Sequence, residues 1–191
     1  MPRLFTGIAI PQKQSELLEA TQTGLPDARW IDEEDFHITL RFIGDVGPSD
    51  ADRLVEALDD RVWPAPIVEL GELACFGGSK PRSIYASVKP NENLTRLQAG
   101  QERLCQTLGL EPTRHKFTPH VTTARLRSMS PEMVARYLSS YAGFQAPKFA
   151  PSRYVLYSAR QSTGGGPYYP EAHFAFAEPV EDDEQTNEYR E

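Results

Sequence analysis

The chain runs twice through the same order of elements, and each pass carries one His-apolar-Thr triplet on an extended segment. His37-Ile38-Thr39 stands in the first half, and His120-Val121-Thr122 follows 83 residues later. Only four histidines occur in 191 residues, so two of them opening the same triplet is an accident expected less than about 1% of the time. Over 35–43, Phe36, Ile38, Leu40 and Phe42 alternate with His37, Thr39 and Arg41, and this period of two predicts a strand with one apolar face. The second triplet sits in a like strand over 117–126.

Around these strands the pattern repeats. A strand over 4–10, closed by Pro11, precedes a helix over 12–23. After the first His strand, Ser49 or Asp50 caps a helix to about Arg61, and strands follow near 66–75 and 82–89. In the second half, Leu94, Leu97, Leu104 and Leu108 predict a helix ended by Gly109. A helix from Ser130-Pro131 to about Tyr141 follows the second His strand, with proline at the first turn, where it is tolerated. Strands near 146–160 and 171–177 flank the Gly164–Gly166 turn. Each half reads helix, His-bearing strand, helix, two strands. The expectation is a duplicated α+β fold that sets its two His-bearing strands side by side.

Composition narrows the classes. The length suits one domain, and no run of 18 apolar residues predicts a membrane span. The first 25 residues lack a basic start with an apolar stretch, so no signal peptide is expected. Cys75 and Cys105 lack C-x-x-C spacing, which fits a reducing, cytoplasmic setting. Net charge is −7, but residues 178–191 carry seven acids and one Arg (−6), leaving the rest at about −1. The last eleven residues read as a disordered acidic tail. A near-neutral body argues against coating long nucleic acid and leaves room for a site that grips one phosphate or one strand end.

The triplets carry the chemistry. Residues i and i+2 of a strand project to one face about 6–7 Å apart, so His37 with Thr39, and His120 with Thr122, each aim an imidazole and a hydroxyl into one space. Histidine suits proton transfer near neutral pH, and threonine donates to phosphate oxygens. Together they suit displacement at phosphorus without a metal or cofactor. Two rival readings stand beside this one. Each His could be a half-buried strand residue bonded by its own Thr, or the pair could ligate zinc, although no third ligand is evident at either triplet. His115, between Arg114 and Lys116, reads as a solvated turn residue, and His173 as a surface position in its strand. Arg41 shares the face of His37 by strict alternation and could meet an RNA backbone. Ser158 and Arg160 could line a groove. Tyr168, Tyr169 and Phe5 could stack on a base, against the commoner role of aromatics in cores.

Trp30, the run His37-Ile38-Thr39-Leu40-Arg41-Phe42-Ile43-Gly44 and the later His120-Val121-Thr122-Thr123-Ala124-Arg125 resemble the 2H phosphoesterase superfamily. Within it they are most similar to the RNA 2′,3′-cyclic phosphodiesterases, also called 2′-5′ RNA ligases. Arg3-Leu4-Phe5, Lys80–Tyr85 and Ser158-Ala159-Arg160 support the likeness, which covers about residues 1–178. Thr123 departs from it, standing where the family more often has Leu, a matter of packing. The resemblance implies a bilobal catalytic domain over 1–178, two antiparallel sheets facing a central groove with helices outside, and a tail over 179–191. It implies His120 as general base, His37 as general acid, Thr39 and Thr122 as phosphate-binding residues, and no metal. Arg125 matches a family arginine, yet by alternation it faces away from His120, so a structural ion pair is favoured over substrate contact. The implied partners are RNA 3′ ends or nucleotides bearing a 2′,3′-cyclic phosphate, with no membrane, and the expected state is a monomer. Ligation in the reverse direction and non-catalytic binding of an RNA end are the alternatives.

Overall fold

A computed structural model describes residues 3–159 and 166–177. Arg160, Gly164, Gly165 and the acidic tail, singled out above, lie outside the described residues. The strands are β1 (Arg3–Ala9), β2 (Ala28–Trp30), β3 (His37–Asp45), β4 (Leu70–Phe76), β5 (Ser83–Val88), β6 (His120–Leu126), β7 (Arg153–Ala159) and β8 (Tyr169–Ala175). The helices are α1 (Gln12–Glu19), α2 (Pro48–Asp59), α3 (Glu92–Thr107) and α4 (Pro131–Ser140). Each half contributes helix, His strand, helix and two strands, as the sequence predicts.

Local chemistry sets the helix ends. The Asn91 side chain accepts from the Leu94 amide and starts α3, and Ser130 does the same for the Met133 amide ahead of Pro131. The first turn of α2 begins at Pro48 after Gly47, ahead of the predicted Ser49 or Asp50 cap, because proline's fixed φ is already helical. α1 stops short of residue 23, where Thr21 Oγ1 turns back to donate to the Leu18 carbonyl at 2.6 Å. Among the described residues no helix is long and apolar enough to cross a membrane.

Two separate sheets were expected, and the hydrogen bonding corrects this. The strands form one antiparallel sheet in the order β4-β5-β6-β3-β1-β7-β8, with β2 paired to β6. The set β4-β5-β6 joins the set β3-β1-β7-β8 through a single residue pair, Ile38 with Val121, between the two His strands. The two strands overlap only at their starts, and β2 pairs with β6 farther along, at Ala124–Leu126. β2, only three residues long, shows no period in the sequence.

One core cluster packs the helices onto one face of this sheet. Leu18 of α1, Leu54 and Leu58 of α2, Leu94 and Leu97 of α3, and Val134 of α4 join Ile8, Ile38, Leu40, Ile84, Val121 and Leu156 from the strands. The Thr6 hydroxyl of β1 bonds Gln101 of α3 at 2.5 Å, and the Tyr154 hydroxyl of β7 reaches the Leu58 carbonyl of α2. The histidines and threonines of the triplets project from the opposite face.

Both His strands break their alternation just after the triplet. In β3, Thr39 and Arg41 face the consecutive residues Gly7 and Thr6 of β1, so Leu40 is an extra residue, a β-bulge. In β6, Thr122 and Ala124 face Tyr85 and Ile84 of β5, so Thr123 is the extra residue. Each bulge reverses the faces beyond it. Arg41, predicted on the His37 face, therefore turns into the core at 4% exposure. There it pairs with Glu102 of α3 at 2.5 Å and donates to the Phe42 and Glu111 carbonyls. Removing one partner of such a buried pair strands the other charge. Arg41→Ala should lower unfolding stability by about 3 kcal/mol in urea melts. A loss below about 0.5 kcal/mol would mean the pair is solvated like a surface one.

Candidate active site

The bulges place one more residue from each strand in the site. With alternation reversed, Phe42 and Arg125, each five residues after its histidine, return to the face of His37 and His120. One cavity of about 190 Å³ is lined by the His and Thr of each triplet, by Phe42 and Arg125, and by Arg3, Phe5, Ile31, Asp35, Ala159 and the segment 166–168. Arg125 was expected to face away from His120. The bulge at Thr123 corrects that expectation, and Arg125 stands close enough to depress the protonation of both histidines. Phe42 is half exposed, and the Arg3 guanidinium lies 5.9 Å from its ring centre.

The register set by Ile38 and Val121 puts His37 beside Thr122, and Thr39 beside His120. The two imidazoles are held alike. His37 Nδ1 is 2.7 Å from the Asp35 carbonyl, and His120 Nδ1 is 2.7 Å from the Thr118 carbonyl, in each case two residues back. A carbonyl only accepts, so each Nδ1 carries the proton and each Nε2 offers its lone pair. The Thr39 hydroxyl lies 3.1 Å from His37 Nε2.

Aromatic rings enclose both imidazoles with the same symmetry. Phe5 of β1 and Tyr157 of β7 stack at 5.2 Å and flank His37 at 4.9 and 5.8 Å. Tyr85 of β5 and Phe76 of β4 stack at 4.0 Å and flank His120 at 5.3 and 4.9 Å. Gly7 of β1 makes room on the His37 side, since a Cβ there would lie 3.0 Å from the Ile38 carbonyl and 3.4 Å from the His37 ring. The symmetry then breaks, because Tyr168 stands edge-on to His37 at 5.0 Å as a third ring. Burial accordingly pushes His37 down to about 4, with His120 and Arg125 adding repulsion. His120 is also lowered by burial, with Arg125 adding to it.

Other sequence candidates fall elsewhere. Ser158 is buried and donates to the Glu171 carboxylate of β8, so Ala159, not Ser158, lines the cavity. Phe5 lines the cavity but is only 4% exposed, its ring committed to His37, Tyr157 and Tyr168. That packing leaves no free face for a base. Tyr169 lines a neighbouring groove. His115 and His173 are exposed, as expected. Asp35 and Phe42 were missed in the sequence. Phe42 was hidden by the bulge, and Asp35 had no signal beyond standing two residues before a singled-out histidine.

Among the described residues no group of three His, Cys, Asp or Glu side chains is placed to hold a metal ion.

The chain matches the family model described as LigT like Phosphoesterase over residues 8–85 and 87–168. An RNA 2′,3′-cyclic phosphodiesterase of Geobacillus stearothermophilus is 35% identical over 65% of this chain and 43% of its own length. One from Aeropyrum pernix is 35% identical over 55% of this chain and 60% of its own length. The chain thus spans about half the length of these curated relatives. The crystal structure of E. coli LigT complexed with 3′-AMP is 21% identical, with a TM-score of 0.72 over 93% of this chain and 100% of that one, a likeness of fold. With nearly the whole described chain matched, triplets included, the protein belongs to the LigT-like phosphoesterase family of the 2H phosphoesterase superfamily.

Proposed function

We propose that this protein hydrolyses 2′,3′-cyclic phosphates at RNA or nucleotide ends to 2′-phosphomonoesters, using two histidines and no metal. The observation that carries the reading is the convergence of both His-x-Thr pairs and Arg125 on one cavity. Two related proteins named for this activity, and the 3′-AMP complex of E. coli LigT, support the choice of substrate class.

The chain's own residues supply the steps. The cyclic phosphodiester lies between the two His strands, its non-bridging oxygens taking hydrogen bonds from Thr39 and Thr122 and charge from Arg125. His120 Nε2 takes a proton from water as the water oxygen attacks phosphorus. The P–O3′ bond breaks, and His37 gives its Nε2 proton to O3′, leaving the phosphate on O2′. Attack and departure are in line, so acid and base must flank phosphorus from opposite sides. An acid on β3 and a base on β6, two strands joined by one residue pair, support this reading. Arg125 and the imidazolium stabilise the developing charge where a metal would otherwise be needed. Phe42, the exposed ring on the rim, offers a face to the terminal base.

Product analysis on an oligonucleotide ending in a 2′,3′-cyclic phosphate tests the reading. The expected product is the 2′-phosphate, formed at an unchanged rate in EDTA. A 3′-phosphate would reverse the leaving group, and loss of activity in EDTA that zinc restores would favour the metal reading.

A further inference from the structure

Asp35 joins two parts of the site that the sequence separates by more than 130 residues. It ends a short 3-10 turn, Glu33–Asp35, and its carbonyl takes the His37 Nδ1 hydrogen. Its carboxylate faces the far segment. Oδ1 accepts the Tyr168 backbone N–H at 3.0 Å, and Oδ2 fills the notch left by Gly166. A Cβ on Gly166 would lie 1.8 Å from Oδ2, and the φ there is +76°, so glycine alone suits both the contact and the backbone. The segment held in this way carries Tyr168, whose ring stands edge-on to both His37 and Phe5.

We propose that Asp35 is a positioning residue: its carbonyl fixes the His37 ring, and its carboxylate clamps residues 166–168 so that Tyr168 closes the third side of the His37 enclosure. His120 has the same carbonyl bond and a like stacked pair of rings, but among the described residues no third ring stands at this distance from it. The clamp is therefore the device that makes the two histidines unequal. As a statement about catalysis this deepens the phosphodiesterase reading and rests on it, whereas the enclosure of His37 can be tested without turnover.

The test is an NMR titration of the His37 imidazole in the full chain and in three variants. The charged and titratable groups facing His37 are His120 and Arg125 from β6, Asp35 from the turn, Tyr157 from β7 and Tyr168 from the clamped segment. Asp35→Ala frees the segment, admits water to the ring and should raise the His37 midpoint by about one pH unit or more. Gly166→Ala, which evicts the carboxylate from its notch and leaves Asp35 intact, should move it the same way. Asp35→Asn keeps an oxygen acceptor for the Tyr168 N–H and should leave the midpoint within a few tenths of a unit. The direction is diagnostic, because deleting a carboxylate near an imidazole by charge alone would lower its midpoint. A His37 midpoint that stays put or falls in both Asp35→Ala and Gly166→Ala, with folded spectra, overturns the proposal. If the midpoint rises as expected while cyclic-phosphate turnover is absent in the parent protein, the clamp stands and the phosphodiesterase reading falls. Where both hold, Asp35→Ala should lower kcat about tenfold with little change in KM, and Asp35→Asn should restore it.

Discussion

Replacing either His37 or His120 by alanine should cut cyclic-phosphate hydrolysis by about 10²–10⁴, the range for loss of one positioned acid or base. The two losses should not multiply. Once either proton transfer is gone, the other has no concerted partner, so the double variant should fall little below the worse single one. Thr39→Ala or Thr122→Ala should cost less, because in the proposed mechanism each removes one of several contacts to the phosphate. Stability works as the internal control. His37 is enclosed by three aromatic rings, so its alanine variant also leaves a void, and rates must be compared where circular dichroism shows each variant folded. Single-turnover hydrolysis of a cyclic-phosphate oligonucleotide, read as the 2′-phosphate formed, is the measurement. An active His37→Ala enzyme would end the two-histidine mechanism.

The triplets were legible because their chemistry coincides with strand period, and any strand that places His at one position places Thr beside it at the next-but-one. The doubled element order followed from the same periodicities. What could not be read was set by non-local pairing. Alternation assigned Arg41 to the site and Arg125 to a structural role, and the bulges at Leu40 and Thr123 exchanged those places. A bulge is decided by how β3 meets β1 and β6 meets β5, which no periodicity within β3 or β6 encodes. Ser158 failed for a related reason, since its partner Glu171 lies on the neighbouring strand β8. Asp35 became visible only when residues 166–168 returned to it across the fold. The single pair between Ile38 and Val121 likewise merges two expected sheets into one, and the cavity is lined from both His strands beside it.

The rate against pH should peak on the acid side of neutrality, between about 4 and the ordinary histidine value of 6.5. The proposed chemistry needs the pair of imidazoles to share one proton, with one neutral to take a proton from water and one charged to give a proton to O3′. Burial lowers His37 to about 4 and also lowers His120, so both limbs of the bell move down from 6.5. Below the lower limb both rings are charged, and no base remains. Above the upper limb both are neutral, and the share of singly protonated pairs falls tenfold for each pH unit. Two forms of the singly protonated pair interconvert, and the proposed mechanism uses the one with the proton on His37. The limbs belong to the pair and do not reveal which ring is the acid, so the profile tests the shared proton and not its assignment. Measured as kcat/KM on an oligonucleotide whose phosphodiester stays ionised throughout, the rate at pH 8 should lie more than about tenfold below the peak. A flat profile from pH 6 to 9 would show that no imidazole charge is lost in that range, and the enclosure of His37 would then have no bearing on turnover.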